Sequence, residues 1–203
     1  MSGKRFVLYL VPIGLAAALA GYMVSRQLGH TEPPALQSGT ALQQPRAVAA
    51  FALTDQLGRP FGNAQLAGQP SLMFFGYTHC PDVCPTTLAL LARLHRDPAL
   101  ARLHIVFVTV DPQRDDQHTM QQYVDAFGGG ITGLTGNDAA LAPLLANLGV
   151  VRSIQPLPGG DYTVDHSATI YYLDARGAFA AIFTPPFDYS AMRADLIALA
   201  AVH

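Results

Sequence analysis

Gly76-Tyr77-Thr78-His79-Cys80-Pro81-Asp82-Val83-Cys84-Pro85 holds both cysteines of the chain. Two cysteines placed at random in 203 residues would rarely fall four apart. The apolar run 71–77 leads into the pair, and a helical pattern follows it. On a helix, positions i and i+4 share a face about 6 Å apart. Two sulfurs there could converge on one ion or close a disulfide. A Cys pair at the exit of a strand and the start of a helix points to the thioredoxin class. Proline is tolerated only in a first helical turn. Pro85 therefore limits where the helix can begin, and Asp82 as N-cap would put Val83, Cys84 and Pro85 at the first three helical positions. Cys84 then faces the positive end of the helix dipole, which favours thiolate. Metal binding and disulfide exchange both use that form.

Outward from this segment, strands and helices alternate. Residues 51–55 suggest a short strand and 72–77 a buried one, followed by a helix over 86–96. Residues 105–110 are apolar or β-branched, as in a central parallel strand covered on both sides. Helices are expected over 116–127 and 138–148, the latter capped by Asn137 or Asp138, with a short strand at 131–134 between them. Residues 150–155 and 162–164 flank a Pro- and Gly-rich turn and read as a hairpin. A second hairpin spans 168–174 and 178–183, and 189–202 closes as an amphipathic helix. The fold class is α/β: a three-layer, thioredoxin-like domain over 48–203 with an inserted hairpin.

The N-terminus has another character. Lys4, the only lysine, and Arg5 precede an uncharged run over 6–25. A run of about 20 residues crosses a hydrocarbon core, and the leading charges favour a cytoplasmic N-terminus with the body outside. Residues 1–25 are expected to form one transmembrane anchor. Ala18-Leu19-Ala20 offers the alternative of a cleaved signal peptide. Either way the body is exported, and a bacterial periplasmic face fits better than a mitochondrial one. Residues 26–47, Gln-, Pro- and Gly-rich without apolar period, read as a flexible linker. The net charge of −2 with only 13% charged residues leaves no basic stripe for nucleic acid.

Redox proteins of the thioredoxin class use Cys-x-x-Cys, whereas three residues intervene here. Two thiolates suit Cu(I), and a thiolate pair plus imidazole suits copper in either oxidation state. Seven histidines could supply the imidazole. His30 lies in the linker and His203 ends the chain. His95 reads as a satisfied core histidine, His104 and His118 as exposed. His79 adjoins Cys80 and is expected to point away from it. His166, in Asp165-His166-Ser167 ahead of the strand 168–174, belongs to a loop that can face the dithiol; a polar loop residue is the alternative. Tyr77, Tyr162, Phe183, Phe187 and Tyr189 read as core or as a hydrophobic partner patch.

Three blocks together are similar to the signatures of the Sco/SenC family: residues 76–85, Val110-Asp111-Pro112-Gln113-Arg114-Asp115, and Asp161-Tyr162-Thr163-Val164-Asp165-His166-Ser167. The resemblance spans 48–203. It implies a membrane-anchored, thioredoxin-like copper protein that assists assembly of the binuclear copper centre of cytochrome c oxidase. It maps the copper ligands onto Cys80, Cys84 and His166, one copper per chain, as Cu(I) or Cu(II), with Cys80 and Cys84 also able to form a redox-active disulfide. Asp82, Asp111, Asp115 and Asp165 are candidates for orienting these ligands, Asp165 for His166 above all; capping and turn chemistry is the alternative for each. The implied partner is the copper-bearing oxidase subunit, alongside other periplasmic copper chaperones or thiol reductants. No turnover of a small molecule is implied. The enzymatic alternative is a thiol-disulfide oxidoreductase or thiol peroxidase of the same fold, and the inert one a structural disulfide.

Overall fold

The computed structural model describes residues 33–202, together with Leu19, Gly21 and Tyr22. The rest of the expected anchor over 1–25, and the linker residues 26–32, lie outside the described residues. Among the described residues no helix is long and apolar enough to cross a membrane.

From residue 33 the chain runs β1 (Gly39–Ala47), β2 (Ala52–Asp55), β3 (Pro60–Gly62), a single helical turn α1 (Asn63–Leu66), β4 (Ser71–Gly76) and α2 (Val83–His95). A short 3-10 turn, Pro98–Leu100, leads to β5 (His104–Thr109), α3 (Gln117–Asp125), β6 (Ile131–Thr135) and α4 (Asp138–Leu148). The hairpin β7 (Arg152–Pro156) and β8 (Tyr162–His166) follows, then β9 (Ile170–Leu173), β10 (Ala178–Phe183) and α5 (Tyr189–Val202).

Eight strands form one sheet in the order β1-β10-β9-β4-β5-β6-β2-β3. At its centre β4, β5 and β6 run parallel, Phe74 pairing with Phe107 and Phe107 with Gly133. All six residues of β4 are buried, as a strand covered on both faces requires. Because successive side chains alternate, Leu72 and Phe74 pack with α2, α3 and α5, while Met73 and Phe75 pack with α4. Each fully buried phenylalanine contributes on the order of 2 kcal/mol. This is the three-layer arrangement expected from the sequence, and the β7–β8 hairpin forms a separate two-stranded sheet.

Gly39–Ala47 corrects the expected linker over 26–47: it is an edge strand antiparallel to β10. Its residues are all half-buried or exposed and its apolar ones follow no alternation, so it carries no apolar period to read. Backbone pairing and the carboxylate of Asp195 hold it. Asp195, buried on α5, accepts bonds from the backbone N–H groups of Gln37 (2.7 Å), Ser38 (2.8 Å) and Gly39 (3.0 Å) and from the Ser38 hydroxyl (2.9 Å). The helix whose apolar face reads over 86–96 starts at Val83, the start that an Asp82 N-cap gives, with Pro85 in its first turn.

Candidate metal centre

Strand β4 ends at Gly76, and the chain leaves the sheet through Tyr77-Thr78-His79 before α2 begins. Buried Asp115 holds this exit. Its carboxylate accepts from the Thr78 backbone N–H at 3.0 Å, the Thr78 hydroxyl at 2.6 Å and the Thr109 hydroxyl at 2.6 Å. The Cys80 backbone N–H closes a turn onto the Tyr77 carbonyl at 3.3 Å. Cys80 is thus presented half-buried at the lip of the site, while Cys84, in the first turn of α2, is fully buried. Both are free thiols.

His166 stands at the end of β8 rather than in a loop. The hairpin lays it over the start of α2, with Nε2 3.5 Å from the Cys84 Sγ. Its Nδ1 lies 3.1 Å from the Ser167 carbonyl. A carbonyl only accepts, so Nδ1 carries the proton and donates it, and Nε2 presents its lone pair to the sulfurs. The imidazole meets Tyr77 edge-on at 5.9 Å and Phe74 at 6.3 Å. Burial disfavours its protonated form and lowers its pKa, opposed by the bond to Ser167. One ligand atom from each of Cys80, Cys84 and His166 lies within 4.8 Å of the other two. Two soft sulfurs and one imidazole nitrogen at that spacing fit a single copper ion.

The expectation of a thiolate favoured at Cys84 is corrected. The helix start is where it was expected, but burial pushes the Cys84 thiol well above its usual range, and Cys80 and Asp115 push the same way. Negative charge is costly in this pocket unless a cation neutralises it.

The carboxylates divide. Asp111 is buried and accepts the Tyr162 hydroxyl at 2.9 Å, tying the hairpin to the end of β5. Asp82 takes the N-cap position but makes no side-chain capping bond and is exposed. Asp165 does not bond the imidazole; neighbouring strand residues point to opposite faces, so it stands exposed while the Ser167 carbonyl takes the Nδ1 proton. His79 is exposed beside Asp115 and outside the ligand cluster. Sequence reasoning missed Arg152 altogether and saw Arg114 only as part of a block. Both bond across to or from the hairpin, and no local pattern announces such a long-range partner.

A model of the SCO1/SenC family matches residues 39–201. The chain belongs to the SCO1/SenC family. Among its SCO1/SenC relatives, the mitochondrial SCO2 homolog of Mus musculus is 42% identical over 134 residues, covering 64% of this chain and 52% of the mouse protein. The chain thus spans about half the length of that relative. Of solved structures, Bradyrhizobium japonicum ScoI with copper bound superposes with a TM-score of 0.68 at 38% identity, over 74% of this chain and 97% of the other. BsSco, a member of the Sco family of cytochrome c oxidase assembly proteins, shares the fold at a TM-score of 0.61 and 19% identity, over 79% and 98% of the two chains.

Proposed function

We propose that this protein is a copper chaperone of the bacterial periplasm. Residues 1–25 anchor it in the inner membrane with the N-terminus cytoplasmic, and the globular domain works on the outer side of that membrane. Its cargo is one copper ion, taken up by Cys80, Cys84 and His166. Its partner is the copper-bearing subunit of a cytochrome c oxidase, whose binuclear centre it helps to assemble. The observation that carries this reading is the convergence of two sulfurs and an imidazole nitrogen within 4.8 Å, in a family member whose Bradyrhizobium relative has been solved with copper bound.

Loading releases the thiol protons, because thiolate is the binding form. The half-buried Cys80 is the open side of the site, so a partner's thiolate can displace it first and draw the ion away from buried Cys84. The same asymmetry supports a second use. The Cys80 thiolate can attack a disulfide of the partner to give a mixed disulfide. Cys84 then attacks the Cys80 sulfur, the partner leaves with both its thiols reduced, and a Cys80–Cys84 disulfide remains. That disulfide consumes both copper-binding sulfurs, so the oxidised form takes up no copper.

The test is copper stoichiometry on the reduced full chain, by elemental analysis after removal of loosely held metal. One copper per chain is expected, and less than stable binding for Cys80→Ser and for Cys84→Ser. Full stoichiometry in either single variant would rule out the joint site. In cells, loss of the protein should leave the oxidase subunit present but poor in copper; a fully metallated oxidase would count against the assembly role.

A further inference from the structure

The hairpin that carries His166 is a two-stranded sheet of its own, separate from the eight-stranded one. Such a hairpin is marginally stable at best without support, and its apolar anchorage is thin. Val164 is buried, but Val151, Ile154 and Leu157 remain exposed. Its seating therefore depends on polar bonds, and two arginines supply them. Arg152 stands directly across from His166 in the hairpin register. Its Nη1 donates to the Val110 carbonyl at 2.6 Å and its Nη2 to Asp138 at the start of α4. That pins the base of the hairpin.

Arg114 pins the far half. From the loop after β5 it donates through Nε to Asp111, and through Nη1 to the Asp161 carboxylate and the Tyr162 carbonyl, both at 3.0 Å. Its guanidinium lies over the Tyr162 ring at 3.7 Å and over the Tyr77 ring at 5.7 Å. Tyr77 is the ring whose neighbour is the His166 imidazole. Only the planar, many-donor fork of an arginine can serve these acceptors and rings together; a lysine is a single point charge.

We propose that Arg114 is a positioning residue for the third ligand: it seats the β7–β8 hairpin so that His166 Nε2 stays over the dithiol. This rests on the copper reading above. Retention of Cu(II), which favours imidazole nitrogen, then depends on Arg114, whereas two-thiolate Cu(I) binding does not.

The experiment titrates Cu(II) into the reduced full chain against a competing chelator, following the sulfur-to-copper charge-transfer band. Arg114→Ala is expected to weaken Cu(II) binding by about 10- to 100-fold, the range for groups that orient metal ligands, and to speed bleaching of the band. Its Cu(I) affinity should match wild type, and Arg114→Lys should recover only part of the Cu(II) loss. In a His166→Ala background the Arg114→Ala effect should vanish, because residues acting through one another are not additive. Tyr162→Phe, which removes one hydroxyl and keeps the ring, should shift Cu(II) affinity in the same direction by less, and serves if Arg114→Ala does not fold. Wild-type Cu(II) binding in Arg114→Ala, or an equal loss with and without His166, would overturn the positioning role alone. Wild-type Cu(II) binding in His166→Ala would overturn the copper reading and this role with it.

Discussion

Gly76 ends β4 without a side chain, and the Cys84 sulfur fills the space thus left. A Cβ built there would stand 2.6 Å from that sulfur and 2.8 Å from the Phe107 ring. The buried thiol is seated against bare backbone, which keeps it pointed along the strand exit toward Cys80. At the other end of β5, His104 is half-buried in the strand, and its Nε2 lies 2.9 Å from the Thr132 hydroxyl. It was expected to be exposed, since its place ahead of an apolar run does not show the neighbouring strand β6 that covers it. Burial, with His95 nearby, lowers its pKa. A depressed folded pKa means that the unfolded chain takes up the proton first. Stability from this residue is therefore complete above the ordinary value of 6.5 and lost as the pH falls through the lower folded value. Thermal melts of the metal-free protein from pH 7.5 to pH 5, ordinary laboratory settings for a histidine transition of about 6.5, should show falling stability. His104→Gln should flatten that fall, and an unchanged slope would mean that His104 is not its source.

At the scale of elements, the segments with a strong period were legible. The apolar run 105–108 of β5, the inward leucines of α4 and the buried strands β9 and β10 declare themselves because burial dictates their residue types, whereas the β7–β8 hairpin shows through its Pro- and Gly-rich turn. The start of α2 was bounded by Pro85, since a proline permits few positions, and Asp82 as N-cap falls within that bound. Strand β1 could not, because its bonds to β10 and Asp195 demand nothing of its side chains. Its dependence on Asp195 is testable. Asp195→Asn strips the four donors of Gln37, Ser38 and Gly39 of a charged acceptor and should destabilise the domain by roughly 1.5–3 kcal/mol, the range for hydrogen bonds to charged groups. Although burial opposes it, these bonds hold the Asp195 carboxyl below its usual 3.8. Its contribution is then complete above that value and lost as the pH falls through the lower folded one. Denaturant unfolding of the variant near neutral pH, with an unchanged midpoint, would show that β1 is held by its pairing to β10 alone.

Across the whole molecule, the dithiol at the strand-to-helix turn and the hairpin bearing His166 meet at the carboxyl end of the parallel strands, where open α/β sheets place their ligands. The dithiol was readable from spacing alone. His166 was one of several candidates on spacing and became the clear choice only through the resemblance of its block, because the contact joins residues 82 apart. Arg114 and Arg152 stayed hidden for the same reason: their partners are set by the hairpin's place in space. The central claim is that Cys80, Cys84 and His166 share one copper ion, and X-ray absorption at the copper edge reads that ligand set directly. The reduced full chain carrying one equivalent of Cu(II) should show two sulfur neighbours and imidazole nitrogen, and His166→Ala should lose the imidazole signal while keeping sulfur. A copper environment without sulfur, or one whose imidazole survives His166→Ala, would contradict it.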